Sequence, residues 1–242
     1  MNVVCCVNRS WNVKIIDRLL SIEAGKAWKI RRVFLPSDVP PPPWRVPFQP
    51  IDPVELERWA DIITAEAPGV ILCYGWSWMI PARIREIAPC LVLHPSPLPK
   101  YRGGSPIQNQ ILDGVTKSAV SIFIASERLD AGDILAQEAI SFEGYLQVIV
   151  DRITDVGTRV TIDILDGMVE GRVSGVPQED SQATVYRRRH PAMSEITLDE
   201  IKTCSAEYLY NKIRCLQEPY PEAFIVCGDG KKLYVTAAHL ER

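Results

Sequence analysis

Leu91-Val92-Leu93-His94-Pro95-Ser96-Pro97-Leu98-Pro99-Lys100-Tyr101-Arg102-Gly103-Gly104-Ser105-Pro106 reads as three pieces. Leu91–Leu93 is a short, continuous apolar run of the kind that is buried in a sheet. Three prolines then stiffen a loop. Ser105-Pro106 opens a helix, with Ser at the cap and Pro in the first turn. A buried strand therefore delivers His94 at its carboxyl end, at the mouth of a rigid loop.

The same alternation extends outward on both sides. Upstream, Val3–Val7, Ile30–Leu35 and Val70–Tyr74 read as strands. Trp11–Ile22, Glu55–Ala65 (opened by Pro53) and Pro81–Ile87 read as helices, the first from the spacing of Val13, Ile16, Leu19 and Leu20. Pro36 to Pro53 reads as a proline-rich loop, with Pro40–Pro43 favouring an extended path. Downstream, Val120–Ile124 and Ile134–Ile140 are strands flanking a loop. A long helix then runs from Leu146 to Val169, its apolar residues in steps of three or four. Strands alternating with helices predict an α/β fold: a Rossmann-like, doubly wound, mostly parallel sheet. Such sheets bind ligands at the carboxyl ends of their strands.

The texture changes after Gly171. Residues 171–199 are polar and irregular and read as a linker, including the basic run Arg187-Arg188-Arg189-His190. Ala206–Cys215 is helical again. Phe224–Cys227 and Lys232–Val235 are strands joined by the turn Gly228-Asp229-Gly230. The expected organisation is a catalytic domain over 1–170, the linker, and a small C-terminal α+β unit over 200–242.

The 242 residues carry 27 Lys+Arg against 30 Asp+Glu, a net charge of −3. That is no footprint for nonspecific nucleic-acid binding. No apolar stretch reaches the roughly 18 residues of a membrane span. The N-terminus lacks a signal-peptide core, so a cytoplasmic protein is expected. The seven cysteines include no C-x-x-C pair, and a zinc or redox site is not expected. G-x-x-x-x-G-K-[ST], an early G-x-G-x-x-G and G-x-S-x-G are all absent, which argues against nucleotide hydrolysis, dinucleotide binding and a serine-hydrolase elbow.

Chemistry concentrates in two loops. His94 can act as a general acid or base, because an imidazole titrates near neutrality. Leu129-Asp130-Ala131-Gly132-Asp133 joins two strands. Its Asp130 can orient an imidazole or relay a proton, and it can equally be a turn former.

Together these loops resemble the formyltransferases that use N10-formyltetrahydrofolate. His94-Pro95-Ser96-Pro97-Leu98-Pro99-Lys100-Tyr101-Arg102-Gly103 matches the family's H-P-S-x-L-P-x-x-R-G, and Leu129–Asp133 matches its L-D-x-G-D. The resemblance is good over about residues 65–170. Arg187–Arg189 and Tyr220–Phe224 look like the tail of the sugar N-formyltransferases. The resemblance implies acyl transfer, in which an amine attacks a formyl carbon while His94 holds the oxyanion and Asp130 carries the proton. It implies a folate pocket at Trp76, Met79, Ile80, Ile124 and Asp133, and acceptor contacts from Ser96, Lys100, Tyr101, Arg102, Arg9 and Trp11. The implied formyl donor is N10-formyltetrahydrofolate, with no metal. The implied acceptor is a small-molecule amino-sugar or sugar nucleotide, with no nucleic acid and no membrane partner, and such enzymes are often homodimers. One departure is Val92, where the family usually carries an Asn able to donate to the oxyanion. It keeps formyltetrahydrofolate hydrolysis open. Methionyl-tRNA formylation and a non-catalytic folate-binding role stay open beside it.

Overall fold

The computed structural model describes residues 1–37, 39 and 43–241. Of the expected extended path Pro40–Pro43, Pro40–Pro42 lie outside the described residues. The strands are β1 (Asn2–Val7), β2 (Lys29–Pro36), β3 (Phe48–Ile51), β4 (Val70–Tyr74), β5 (Cys90–His94), β6 (Arg102–Gly103), β7 (Lys117–Ile124), β8 (Ile134–Ser141), β9 (Val185–Tyr186), β10 (Phe224–Val226) and β11 (Lys232–Tyr234). The helices are α1 (Ser10–Ile22), α2 (Ala60–Ala65), α3 (Ala82–Arg85), α4 (Pro106–Leu112), α5 (Leu146–Val169), α6 (Leu198–Thr203) and α7 (Ala206–Cys215).

Seven strands form one sheet in the order β3-β2-β1-β4-β5-β7-β8. The first five pair parallel; β7 and β8 run antiparallel. This is the mostly parallel, doubly wound α/β sheet that the alternation predicts. β1 meets β2 on one side and β4 on the other, so the winding reverses between β1 and β4, where a crevice opens. Helices α1 and α5 cover one face, over a core of Val3, Cys5, Leu72 and Leu93. The 60s helix and α3 cover the other, over Val4, Cys6, Ile71 and Cys73. Burial on both faces explains why these strands are continuously apolar rather than alternating.

Three local readings are corrected. The proline loop contains β3, an edge strand, where a proline in the run is tolerated. The helix expected over Glu55–Ala65 is a 3₁₀ segment, Pro53–Trp59, followed by α2, with Glu55 off helical geometry. Ser105 does not cap α4: it is left-handed at φ 53°, and its Oγ accepts the Arg189 N–H at 3.1 Å.

Beyond α5 the chain folds back. β9 pairs with β6, and β10 and β11 form the expected hairpin. Thr197 and Glu200 form a reciprocal capping box on α6, a helix that the polar texture hid. Lys212, almost fully buried on α7, donates to both Glu200 oxygens and to the Glu195 carbonyl. Burial works against the Glu200 carboxylate, but the Lys212 hydrogen bond and charge outweigh it and hold its pKa below the ordinary value. A lowered carboxyl contributes stability above its unfolded pKa and loses it as pH falls through the folded one. Lys212→Met is therefore expected to cost about 2–3 kcal/mol at pH 7. The gap should narrow as Glu200 protonates, as read by urea unfolding at neutral and at acidic pH.

Candidate active site

A cavity of about 830 Å³ opens where the carboxyl ends of β1, β4 and β5 meet. Arg9 and Trp11 follow β1, Trp76 to Ile80 follow β4, and His94 ends β5 at its rim. Val92 and His94, two apart on β5, share the face toward it, while Leu91 and Leu93 point into the main core. No helix of the described residues is long and apolar enough to cross a membrane.

His94 is buried, and its Nε2 lies 2.8 Å from the Tyr101 carbonyl. A carbonyl only accepts, so Nε2 carries a hydrogen and donates it. Nδ1 is the ring nitrogen left for chemistry, and it faces Asp130 Oδ2 at 3.7 Å. The same carboxylate oxygen accepts the Gly103 N–H at 2.7 Å, which fixes its direction.

The register explains how two loops distant in sequence meet. β7 is antiparallel to β5, with Ser121 opposite His94 and Ile124 opposite Leu91. The β7–β8 loop thus starts beside the amino end of β5, and it folds back along the sheet face to raise Asp130 to His94. Gly132 makes that return possible. A Cβ there would stand 1.8 Å from the Ile124 carbonyl oxygen, so any side chain would push the loop off the strand.

Polar side chains from three elements hold the His94 loop. Ser121 Oγ donates to the Ser96 carbonyl at 2.7 Å, Gln110 Nε2 to Pro95 at 2.8 Å and Gln137 Nε2 to Leu98 at 2.9 Å. The chain after α5 clamps both loops. Gln178 Nε2 donates to the carbonyls of Asp130 and Gly132, and its Oε1 accepts from the Arg102 guanidinium. The Tyr101 and Tyr186 rings stack at 4.8 Å, and both hydroxyls donate to Asp113 Oδ2, at 3.1 and 2.7 Å. Enclosure, then the Asp113 bond, raises the Tyr101 phenol; at Tyr186 the Asp113 bond comes first. Both phenols remain donors at neutral pH. Because the Tyr101 carbonyl orients His94, Tyr186→Ala is expected to lower the kcat of any reaction that His94 assists about tenfold. KM should change little in steady-state assays.

The residues singled out in sequence fall into two groups. His94, Asp130, Trp76, Met79, Ile80, Arg9, Trp11 and Val92 all line the cavity. Ile124, Asp133, Ser96, Lys100, Tyr101 and Arg102 do not. Ile124 alternates away from Phe123 and packs on the main core, and Asp133 is exposed beside Gly175. Ser96 donates to the Lys100 carbonyl, Lys100 is exposed, Tyr101 is held by Asp113, and buried Arg102 pairs with Asp180 and Gln178. Arg187–Arg189, read as a linker, instead border the cavity together with Tyr220. The pairing of β6 with β9 that carries them there is nonlocal and leaves no mark in the local sequence.

Residues 47–163 match the family described as formyl transferase. The chain carries a formyl transferase domain. A methionyl-tRNA formyltransferase of Lachnospira eligens is 34% identical over 170 residues, which cover 69% of this chain and 52% of that one. The chain spans about half the length of that curated relative. A methionyl-tRNA formyltransferase structure from Clostridium thermocellum is 28% identical, with a TM-score of 0.75 over 97% of this chain and 96% of that one. A structure from Mycobacterium tuberculosis described as a likely sugar N-formyltransferase shares the fold at 18% identity, with a TM-score of 0.78 over 100% and 99% of the two chains. The domain match takes in His94 and Asp130 but stops short of the clamp at 178–188.

Proposed function

We propose that this chain transfers a formyl group from N10-formyltetrahydrofolate to a primary amine. The observation that carries the reading is the meeting of His94 and Asp130, at 3.7 Å, inside the cavity of a formyl transferase domain. The cavity suits the donor. One end is walled by Trp76, Trp78, Met79, Ile80 and Phe123, and the buried Trp76 Nε1 has no partner among the described residues. An apolar slot with a spare N–H fits a flat heteroaromatic ring with polar edges.

N10-formyltetrahydrofolate would bring a formyl group activated for attack by an amine. The protein must align that amine, stabilise a growing negative charge on oxygen, and remove a proton from nitrogen. A proton on His94 Nδ1 is placed to meet the oxygen, because Nε2 is committed to the Tyr101 carbonyl. Asp130 is the carboxylate beside it; it takes the amine proton, directly or through one water, and would return it to N10 as the bond from the formyl carbon to N10 breaks and tetrahydrofolate leaves. Val92 offers no hydrogen bond, so His94 is the donor that this strand supplies. Alignment within the cavity supplies much of the remaining acceleration.

The name of the curated relatives places methionyl-tRNA first among acceptors to test. A nucleotide-linked amino-sugar is the second reading, favoured by the acidic charge balance and by the arginines that border the cavity. The test supplies purified protein with N10-formyltetrahydrofolate and either methionyl-tRNA or a panel of nucleotide-linked amino-sugars. Formylated acceptor and tetrahydrofolate are expected in equal amounts. Formate release without any acceptor would instead establish hydrolysis, and no turnover with either class would defeat the reading.

A further inference from the structure

Ser105-Pro106-Ile107-Gln108 carries the spacing of a capping box, in which the first and fourth side chains satisfy each other's backbone N–H at a helix start. Neither half forms on α4. Ser105 is left-handed and its Oγ accepts from Arg189, so no side chain caps the helix. Gln108, the third residue of α4, does not reach back to Ser105. It is 3% exposed, it lines the cavity, and its carboxamide has no hydrogen-bond partner among the described residues. The protein does not seal that amide, so the small opening it keeps is onto the cavity.

A buried amide left unpaired is destabilising, and the polar groups around it avoid that state. The hydroxyls of Ser77, Ser126, Ser194 and Tyr186 border the same cavity, and each donates to a protein carbonyl or to Asp113. The two residues after Gln108 are engaged as well. Asn109 Nδ2 donates to the Gly104 carbonyl at 2.9 Å, and Gln110 Nε2 to the Pro95 carbonyl at 2.8 Å. Those bonds moor α4 to the reacting loops, since Pro95 follows His94 and Gly103 donates to Asp130. Of three carboxamides in a row, two hold the scaffold and one is left free.

Val92 supplies the complement. It shares the cavity face of β5 with His94 and has no hydrogen to donate. An oxygen that gains charge in this cavity therefore meets one donor from β5, His94 Nδ1, and has room for a second.

We propose that Gln108 is a catalytic residue whose carboxamide donates a second hydrogen bond to the formyl oxygen, the bond that Val92 cannot make. This inference rests on the formyl-transfer reading and adds a residue to it. As the amine nitrogen bonds to the formyl carbon, the carbonyl electron pair moves onto oxygen, toward the His94 and Gln108 donors. When that pair returns, the bond from carbon to N10 breaks, and the amine proton reaches N10 through Asp130. A neutral amide suits the place, because a cation there would pair with Asp130 and occupy the carboxylate.

The test is Gln108→Met, which keeps the length of the side chain and removes its N–H. The kcat for formyl transfer should fall about 10²-fold, with the folate KM within about twofold of the wild type. The urea midpoint should stay level or rise, because an unpaired buried amide has gone. An unchanged kcat would mark Gln108 as scaffold and overturn the proposal. A second measurement needs no turnover. It compares, by calorimetry, a 10-deazafolate bearing an aldehyde at position 10 with the same folate lacking the aldehyde. The hydrated aldehyde presents a tetrahedral carbon and its oxygens where the formyl group would react. Gln108→Met should bind the aldehyde about tenfold or more weaker than the wild type does, and the plain folate equally well. Equal losses for both, or no loss for either, would overturn the proposal and leave formyl transfer standing. Failure of the wild type to bind either analogue would sink the folate reading itself, and this inference with it.

Discussion

Replacing His94 with alanine is expected to lower kcat for formyl transfer by about 10²- to 10⁴-fold. The effect should fall on kcat rather than on folate KM. On the proposed reading the folate lies against Trp76, Met79 and Ile80, on a different loop from His94, whose proposed role is to meet the reacting oxygen. The imidazole also donates to the Tyr101 carbonyl, so its removal frees one backbone acceptor in the loop. His94→Gln separates the two roles. It offers a neutral amide in place of the ring, and it should restore loop order without restoring the rate. Hydrogen exchange across 98–104 reads the first, and steady-state turnover the second. An alanine variant within threefold of the wild type would remove His94 from the chemistry.

Asp130→Asn carries the second large effect, a loss of about 10²-fold or more in kcat. The substitution preserves size and keeps an oxygen for the Gly103 N–H, whose bond to Asp130 Oδ2 is 2.7 Å. What it removes is the negative charge beside His94 Nδ1 and the basic oxygen for the departing proton. The fold should be undisturbed, since the loop is held at the backbone by Gln178 through the carbonyls of Asp130 and Gly132. Urea unfolding should give the same midpoint within error. A wild-type rate in Asp130→Asn would leave proton removal to solvent and strip the carboxylate of its role.

The large-scale order of this fold was readable because periodicity is local. Val70–Tyr74, the span of α5 and the span of α7 follow directly from runs and spacings within each segment. The proline segment misled because β3 is a short edge strand containing Pro50, which lowers every strand signal it carries. The candidate pair was legible as two motifs, but their meeting depends on the antiparallel register of β5 and β7, which no single motif encodes. Gly132 in the second motif shows its reason only in three dimensions, as a glycine beneath a strand carbonyl. Tyr101 and Arg102 were legible as important residues but not as scaffold, because their partners Thr184, Asp113, Gln178 and Asp180 are scattered along the chain. Arg188 was hidden for the same reason: a basic run looks solvated until the backbone beneath it is known to rest on Gly104.

The clamp at 178–188 has a temporal consequence. A ribosome makes the sheet, His94 and Asp130 well before Gln178, Thr184 and Tyr186. Until those later residues emerge and dock, the two loops are held together only by the Gly103–Asp130 bond and the register of β5 and β7. The last contacts on the loops of His94 and Asp130 therefore form only after residue 186 has been made.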